Sequence, residues 1–288
     1  MALSSDFNRT LSGIFTNPTF KSLLKSGDND YFIKKIKKYN SLLSVSPNNT
    51  VKDAIKEAYI YLSRNYRNEY IYKNTIANKI LLGKHNLNTA TLISEYKVGN
   101  SIADLLLLNG TSTVYEIKTE LDSPDKLKKQ IEDYKKAFCK IYLVTHHSLV
   151  TRYLQMIEYE NIGLISLSGR FQLSTIKEAQ QNEEFLEIET MMRCLRKSEY
   201  SSIIKKYYGC LPNISNIHFF STCLEMAKKI SPKNFHDLMT AELKKRSPNE
   251  KEFLNSINLP AELKHICLCI NPTKQEYNNL LNFLNQNL

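Results

Sequence analysis

Ser101-Ile102-Ala103-Asp104-Leu105-Leu106-Leu107-Leu108-Asn109-Gly110, followed by Thr113-Val114-Tyr115-Glu116-Ile117-Lys118-Thr119, is the stretch on which the reading of the fold turns. Ile102–Leu108 is almost wholly apolar, the mark of a strand covered on both faces. Asn109-Gly110 is a strong short hairpin signal, because both residues tolerate positive φ. Thr113–Thr119 then reads as the returning strand. Upstream, Thr89–Val98 is rich in β-formers and runs into a Gly99-Asn100 turn, so a three-stranded meander is expected.

Downstream of the hairpin, Pro124 opens a helix expected over residues 124–138, and Lys140–Thr145 (KIYLVT) is the next strand. A helix over 148–159 leads to Gly163–Ser168 (GLISLS), a further buried strand. Meander, helix and strand together predict an α/β fold, a mixed sheet covered by helices. Ahead of it, Thr50 caps a helical run through Val51, Ala54, Ile55, Ala58, Tyr59 and Leu62. A second helix follows over Asn68–Leu82, with Gly83 as its stop. Nearer the start, Tyr31–Leu43 is a helix with a cluster of positive charge, Lys34-Lys35-Ile36-Lys37-Lys38, and Ser44–Thr50 reads as a linker. From about 178 onward only helical patterns occur, punctuated by Pro212, Pro232, Pro248, Pro260 and Pro272. Three segments are expected: an N-terminal helical piece at 1–47, the sheet-bearing core at 48–177, and a helical C-terminal domain at 178–288.

Bulk properties narrow the class. At 42% hydrophobic and 24% charged, the 288 residues have a soluble globular composition. No run reaches the roughly 18–20 apolar residues that span a bilayer, and no secretory leader is read at the start, so a cytoplasmic protein is expected. Six cysteines without a CxxC pair read as reduced thiols. The net charge of +10 is concentrated early, with +4 in residues 1–47 and +4 in 48–145 against +2 in 177–288. Such an excess favours a polyanionic partner, with a basic solvated surface as the plain alternative. His218, His236 and His265 lack ligand spacing, so no zinc site is expected, and there is no phosphate-loop motif for ATP hydrolysis.

The chemistry lies in the hairpin. Side chains alternate along a strand, so Glu116 and Lys118 share a face while Tyr115 and Ile117 enter the opposite layer. Antiparallel pairing about a turn at 110–112 sets Asp104 across from residue 117 or 118. Two carboxylates and an ammonium then converge at the edge of a hydrophobic hairpin, a costly arrangement unless something compensates. A hard divalent cation does so, with oxygen ligands from Asp104 and Glu116 and the remaining positions left to water and a phosphate. Lys118 would orient or deprotonate the attacking water. The plain alternative for an isolated ExK tripeptide is a surface ion pair; the apolar Asp-bearing strand, the turn and the following helix weigh against it. On that helix Leu127, Ile131, Tyr134 and Phe138 form the apolar stripe, and Gln130, four residues before Tyr134, is placed near the site. Glu69 on the upstream helix and Glu95 on the first strand are further candidates, either as metal-site carboxylates or as solvent-facing residues. His146-His147, at the end of the KIYLVT strand, reads as a phosphate contact or a polar loop, and Lys34–Lys38 and Lys244-Lys245-Arg246 as phosphate contacts or solvated helix faces.

The order Asp104, Glu116-Ile117-Lys118, Gln130 resembles the PD-(D/E)xK nuclease superfamily, the restriction-endonuclease-like fold. The wording around it is similar to a bacterial and phage-associated branch in which an Asp-bearing strand leads to a YEIK-S/T segment, an Asp and a Gln…Tyr helix. Here those are Tyr115-Glu116-Ile117-Lys118-Thr119, Asp122 and Gln130…Tyr134, and Glu69 matches an upstream acidic helix. The likeness covers about residues 68–147, with Ala103 where the superfamily's name has proline. It implies a mixed sheet flanked by helices and Mg²⁺- or Mn²⁺-dependent phosphodiester hydrolysis, with DNA as the default substrate. It further implies Asp104, Glu116, Lys118, Gln130 and Glu69 as the catalytic set, and Asp104, Glu116, Ile117 and Glu95 as metal-holding positions. The superfamily also contains members that bind without cutting, and an RNA substrate or a non-catalytic module remains open. The helical C-terminal part would recognise substrate, form a homodimer or recruit a protein partner.

Overall fold

The computed structural model describes residues 2–26, 30–38, 43, 45–46 and 48–288, the side chains at 2–6, 26, 30 and 31 excepted. The chain divides into two compact units, Met1–Leu87 with Pro248–Leu288, and Asn88–Ser247.

The first unit is helical: α1 (Ala2–Ser12), α2 (Asn17–Ser26), α3 (Asp30–Lys38), α4 (Val51–Asn65) and α5 (Glu69–Ile76), the last running on through a π turn at Ala77–Leu81. Thr50 starts α4 with a capping box, its hydroxyl taking the Asp53 N–H and its own N–H reaching the Asp53 carboxylate. Residues 39–42 of the expected Tyr31–Leu43 helix, and 44 and 47 of the expected linker, lie outside the described residues. The end of the chain belongs here as well. The Asn74 amide donates to the Ala261 carbonyl at 2.9 Å and accepts the His265 N–H at 3.0 Å. The Val51 N–H donates to the Gln286 carbonyl at 2.9 Å.

The second unit holds one six-stranded sheet in sequential order: β1 (Thr91–Val98), β2 (Ser101–Leu108), β3 (Ser112–Lys118), β4 (Lys140–His146), β5 (Gly163–Leu167) and β6 (Leu173–Lys177). β1–β2–β3 is the antiparallel meander, β3–β4–β5 are parallel, and β5–β6 is antiparallel. The parallel joins need crossovers, and α6 (Leu127–Lys135) and α7 (Val150–Met156) make them. The expected mixed α/β sheet flanked by helices, with a helical C-terminal region, is therefore the architecture observed. β6 lacks a sequence signature: its side chains are half-buried or exposed, so no apolar alternation marks it.

Four further helices cover one face: α8 (Ile188–Arg193), α9 (Lys197–Tyr208), α10 (Asn216–Ala227) and α11 (Pro232–Leu243). Val114, Leu106 and Leu143 of the sheet share a core with Ile131 and Tyr134 of α6 and Met191, Ile203 and Phe235 of these helices. Arg246 and Glu199 form a two-pronged ion pair at 2.6–2.7 Å that ties the chain after α11 to α9.

This division cuts across the three segments expected from sequence. Residues 48–87 fold with the first unit, 178–247 complete the second, and 248–288 return to the first. Contacts between residues far apart in the chain, such as Asn74 with Ala261, draw these boundaries, and no local pattern announces them.

Candidate functional site

The β2–β3 connection sets the site. Leu108 pairs with Ser112, so three residues, Asn109-Gly110-Thr111, make the turn, with Gly110 at φ +102°. The paired register ends at Leu105↔Tyr115, which leaves Asp104 one residue beyond it. The turn is centred on Gly110, one residue earlier than anticipated, and the Asp104 carboxylate meets β3 at residue 117.

Glu116 is 2% exposed and Lys118 7%. The Lys118 ammonium donates to Glu116 Oε1 at 2.8 Å and to Gln130 Oε1 at 2.9 Å. The Gln130 amide donates to the same Glu116 oxygen at 2.6 Å, closing a three-membered ring of polar groups. Tyr134 Oη lies 2.8 Å from Glu116 Oε2 and 2.8 Å from the Ile102 carbonyl. Gln130 and Tyr134 reach the site together because four residues make about one helical turn. Asp104 Oδ2 accepts the Ile117 main-chain N–H at 2.6 Å, which fixes its carboxylate against β3. The Ile117 side chain is buried.

Burial pushes the Glu116 carboxyl above the usual carboxylate range, against the pull of Lys118, Tyr134 and Gln130. Burial also works against the Lys118 ammonium, but the Glu116 carboxylate, with Asp104 and Asp122, outweighs it and holds that ammonium protonated. Lys118 therefore offers donated protons and positive charge.

Glu95 sits opposite Asp104 in the β1–β2 ladder, between the pairs Ser94↔Leu105 and Tyr96↔Ala103. Its φ is +55°, a left-handed backbone in mid-strand that a non-glycine residue adopts at a cost of about 1–2 kcal/mol. A Glu95 carboxylate oxygen lies within 4.8 Å of one of Asp104. Glu69 is placed in the first unit, on the first turn of α5, where it pairs with Lys73.

At the C-terminal ends of the parallel strands, the Thr145 hydroxyl donates to the Lys118 carbonyl at 2.7 Å. His146 is buried, with Nδ1 2.8 Å from Ser148 Oγ and 3.3 Å from Glu120, while His147 is exposed. The Thr119 N–H and hydroxyl both donate to Asp122 Oδ2, at 2.8 and 2.7 Å, shaping the loop after β3. Of the Lys244-Lys245-Arg246 run, Lys245 pairs with Glu242 and Arg246 with Glu199.

Sequence reading missed a second polar cluster at the other end of β3. Ser112 Oγ lies 2.7 Å from His236 Nε2 and accepts the Cys139 N–H at 3.0 Å, and Cys139 Sγ lies 3.4 Å from the same ring. All three residues are buried, and burial holds the His236 imidazolium below its ordinary range. Nothing in the spacing 112, 139, 236 signals the meeting.

Fold and site define a mixed α/β protein with a buried acid–lysine–amide cluster beside an acidic pair on the central meander. Residues 63–266 match the bacteriophage P4 protein cII family, and the chain belongs to it. Protein cII of Enterobacteria phage P4 is 24% identical over 210 residues, which cover 70% of this chain and 78% of that protein. Among solved structures, the SPO1766 protein of unknown function from Silicibacter pomeroyi aligns over 42% of this chain and 81% of its own, at 13% identity and a TM-score of 0.30, a likeness that carries no argument. No helix among the described residues is long and apolar enough to cross a membrane.

Proposed function

We propose that this chain is a divalent-metal-dependent nuclease that hydrolyses phosphodiester bonds, with DNA as its substrate. The observation that carries this reading is the buried ring of Glu116, Lys118 and Gln130 with the Asp104 carboxylate held on the main chain of Ile117 between them. An ionised pair in an apolar layer costs several kcal/mol. A reaction that builds negative charge beside it accounts for keeping it.

The donor set fits a hard cation. Glu95, Asp104 and Glu116 offer carboxylates, and Ile117 has only its main-chain carbonyl, so all the donors are oxygens, the set that Mg²⁺ or Mn²⁺ prefers. Glu116 Oε1 accepts two donors and Oε2 one, the Tyr134 hydroxyl, which makes Oε2 the oxygen better suited to a metal. When bound, the cation supplies a more acidic water and neutralises charge on the transferring phosphoryl group. The chain's own residues do the rest. The Ile117 N–H fixes Asp104, Gln130 holds Glu116 and Lys118 in register, and the protonated Lys118 orients the attacking water and donates to the developing phosphorane oxygens.

The membership of a phage family supports a mobile-element or defence setting, with repair the remaining context, and six free thiols support a cytoplasmic one. The test incubates the chain with supercoiled plasmid, linear DNA and labelled RNA in Mg²⁺, Mn²⁺ or EDTA. Metal-dependent DNA cleavage that Glu116→Gln and Lys118→Met abolish is the expected result. Cleavage that survives both variants, or none by the wild type, overturns it, and cleavage confined to RNA shifts the substrate class.

One observation favours a second reading, a binding module without hydrolysis. Both oxygens of Glu116 accept protein donors, and two of the three Lys118 ammonium protons have protein acceptors, so the cluster holds together by protein groups alone. Under that reading the wild type binds nucleic acid and leaves it intact.

A further inference from the structure

We propose that the α9–α10 surface of the second unit is a binding track for a single strand of nucleic acid. This deepens the nuclease reading by naming the form of its substrate, and it rests on that reading for its purpose only.

The geometry begins with two helices running side by side in the same direction. At their starts, the Lys197 ammonium is 2.8 Å from Asn216 Oδ1 and lies 4.9 Å from the centre of the Phe219 ring. At their ends, the Tyr208 hydroxyl donates to the Met226 carbonyl at 2.9 Å. The connector, residues 209–215 (GCLPNIS), must therefore travel back the full length of α9. That is about 18 Å for its twelve residues, which seven extended residues can span. It does so on the outside: every residue of it is exposed except the half-buried Pro212. Among the described residues, the main-chain N–H groups of 210, 211, 213 and 214 meet no acceptor.

Three features run along this track. Residues 193–229 carry seven Lys/Arg against two Glu. Both acids are neutralised locally, Glu199 by Arg246 and Glu225 by Lys228. Lys205, Lys206 and Lys229 are exposed at one end and form no ion pair among the described residues, and Arg196 and Lys197 stand at the other, beside Arg193, which pairs with Glu189. Tyr207 at the first end, Leu211 and Ile214 on the connector, and Ile217 at the second end are exposed, the last by 87%. Cations neutralise phosphates, outward amides donate to phosphate oxygens, and apolar surface takes the faces of unpaired bases. A duplex keeps its base faces stacked inside, so only a single strand uses all three. A second copy of this chain would bring the same positive excess against itself.

The test measures fluorescence anisotropy of labelled dT20 and of a 20-base-pair duplex with the whole chain in EDTA, where metal-dependent cutting cannot occur. We expect dT20 to bind about tenfold more tightly than duplex and to weaken steeply with salt. Lys205→Glu with Lys206→Glu should lose about an order of magnitude on dT20. Leu211→Ser with Ile217→Ser should lose about as much while keeping the salt slope, and unchanged thermal melts would confirm intact folding. Equal affinity for both nucleic acids, or wild-type dT20 binding by both double variants, overturns the proposal. So does a wild-type dimer in sedimentation that Leu211→Ser with Ile217→Ser converts to monomer without affecting dT20. The nuclease reading is judged separately, by cleavage in metal: tight dT20 binding without cutting keeps the track and removes the enzyme, while cutting without this preference does the reverse.

Discussion

Tyr134 Oη stands 2.8 Å from Glu116 Oε2 and equally 2.8 Å from the Ile102 carbonyl, with one proton for two acceptors. When Glu116 is ionised, the hydroxyl donates to it. When Glu116 is protonated, the carboxyl can donate to the tyrosine oxygen and the tyrosine to Ile102. The hydroxyl thus couples the charge of Glu116 to the β2 main chain, and it favours the ionised form against the burial that opposes it.

Removing that hydroxyl has a direction. Tyr134→Phe takes away a donor that lowers the Glu116 carboxyl, so the carboxyl should rise further and the acid limb of cleavage should move to higher pH. The Ile102 carbonyl also loses its partner, at about 1–2 kcal/mol of stability. A pH–rate profile beside a denaturant melt checks both, and an unmoved acid limb would take Glu116 out of the reaction.

Lys118 is expected to act as a fixed cation. Lys118→Met should lower cleavage by about a thousandfold or more, on the scale of a lost transition-state donor. Lys118→Arg keeps charge but not shape, because a planar guanidinium cannot donate to Glu116 and Gln130 as the ammonium does. It should recover only part of the rate. Single-turnover rates on one substrate decide this, and full recovery by arginine would reduce the role to charge alone.

The left-handed backbone at Glu95 sets stability against metal binding. Glu95→Gly relieves the strained φ of +55° and should stabilise the metal-free protein by about 1 kcal/mol, offset in part by the freedom glycine gains when unfolded. The same change removes a carboxylate beside Asp104 and should weaken Mn²⁺ binding. Thermal melts and calorimetric titration with Mn²⁺ measure the two effects. Weaker binding without a gain in stability would mean that the backbone here is unstrained.

His236 is expected to contribute to acid sensitivity. Its folded pKa is lowered by burial, so the unfolded chain takes up a proton at pH values where the folded one does not. The stability it contributes is present above the ordinary histidine value of about 6.5 and is lost as pH falls toward its lowered folded value. His236→Gln should cost about 1–3 kcal/mol at pH 7.5, by breaking the contacts to Ser112 and Cys139, and should flatten the decline below pH 6.5. Melting temperatures of both proteins from pH 7.5 to 5 test this. Parallel curves would assign the acid sensitivity to other groups.

Much of the site was legible because it is local. Alternation along β3 puts Glu116 and Lys118 on one face, one turn of α6 aligns Gln130 with Tyr134, and Asn109-Gly110 announces the hairpin. Those signals operate over a few residues, and the sequence carries them in full. It could not count the turn: a three-residue loop centred on Gly110, rather than one centred a residue later, decides that Leu105 pairs with Tyr115.

What only tertiary structure decided is long-range. The return of 248–288 to the first unit, the Glu199–Arg246 pair and the Ser112–Cys139–His236 cluster join residues tens to hundreds of positions apart. So does the parallel run of α9 and α10 that turns scattered lysines and apolar side chains into one track. Which covered faces meet depends on how whole elements pack to bury apolar surface, and that free energy belongs to the assembled elements, with no trace in any single window of sequence.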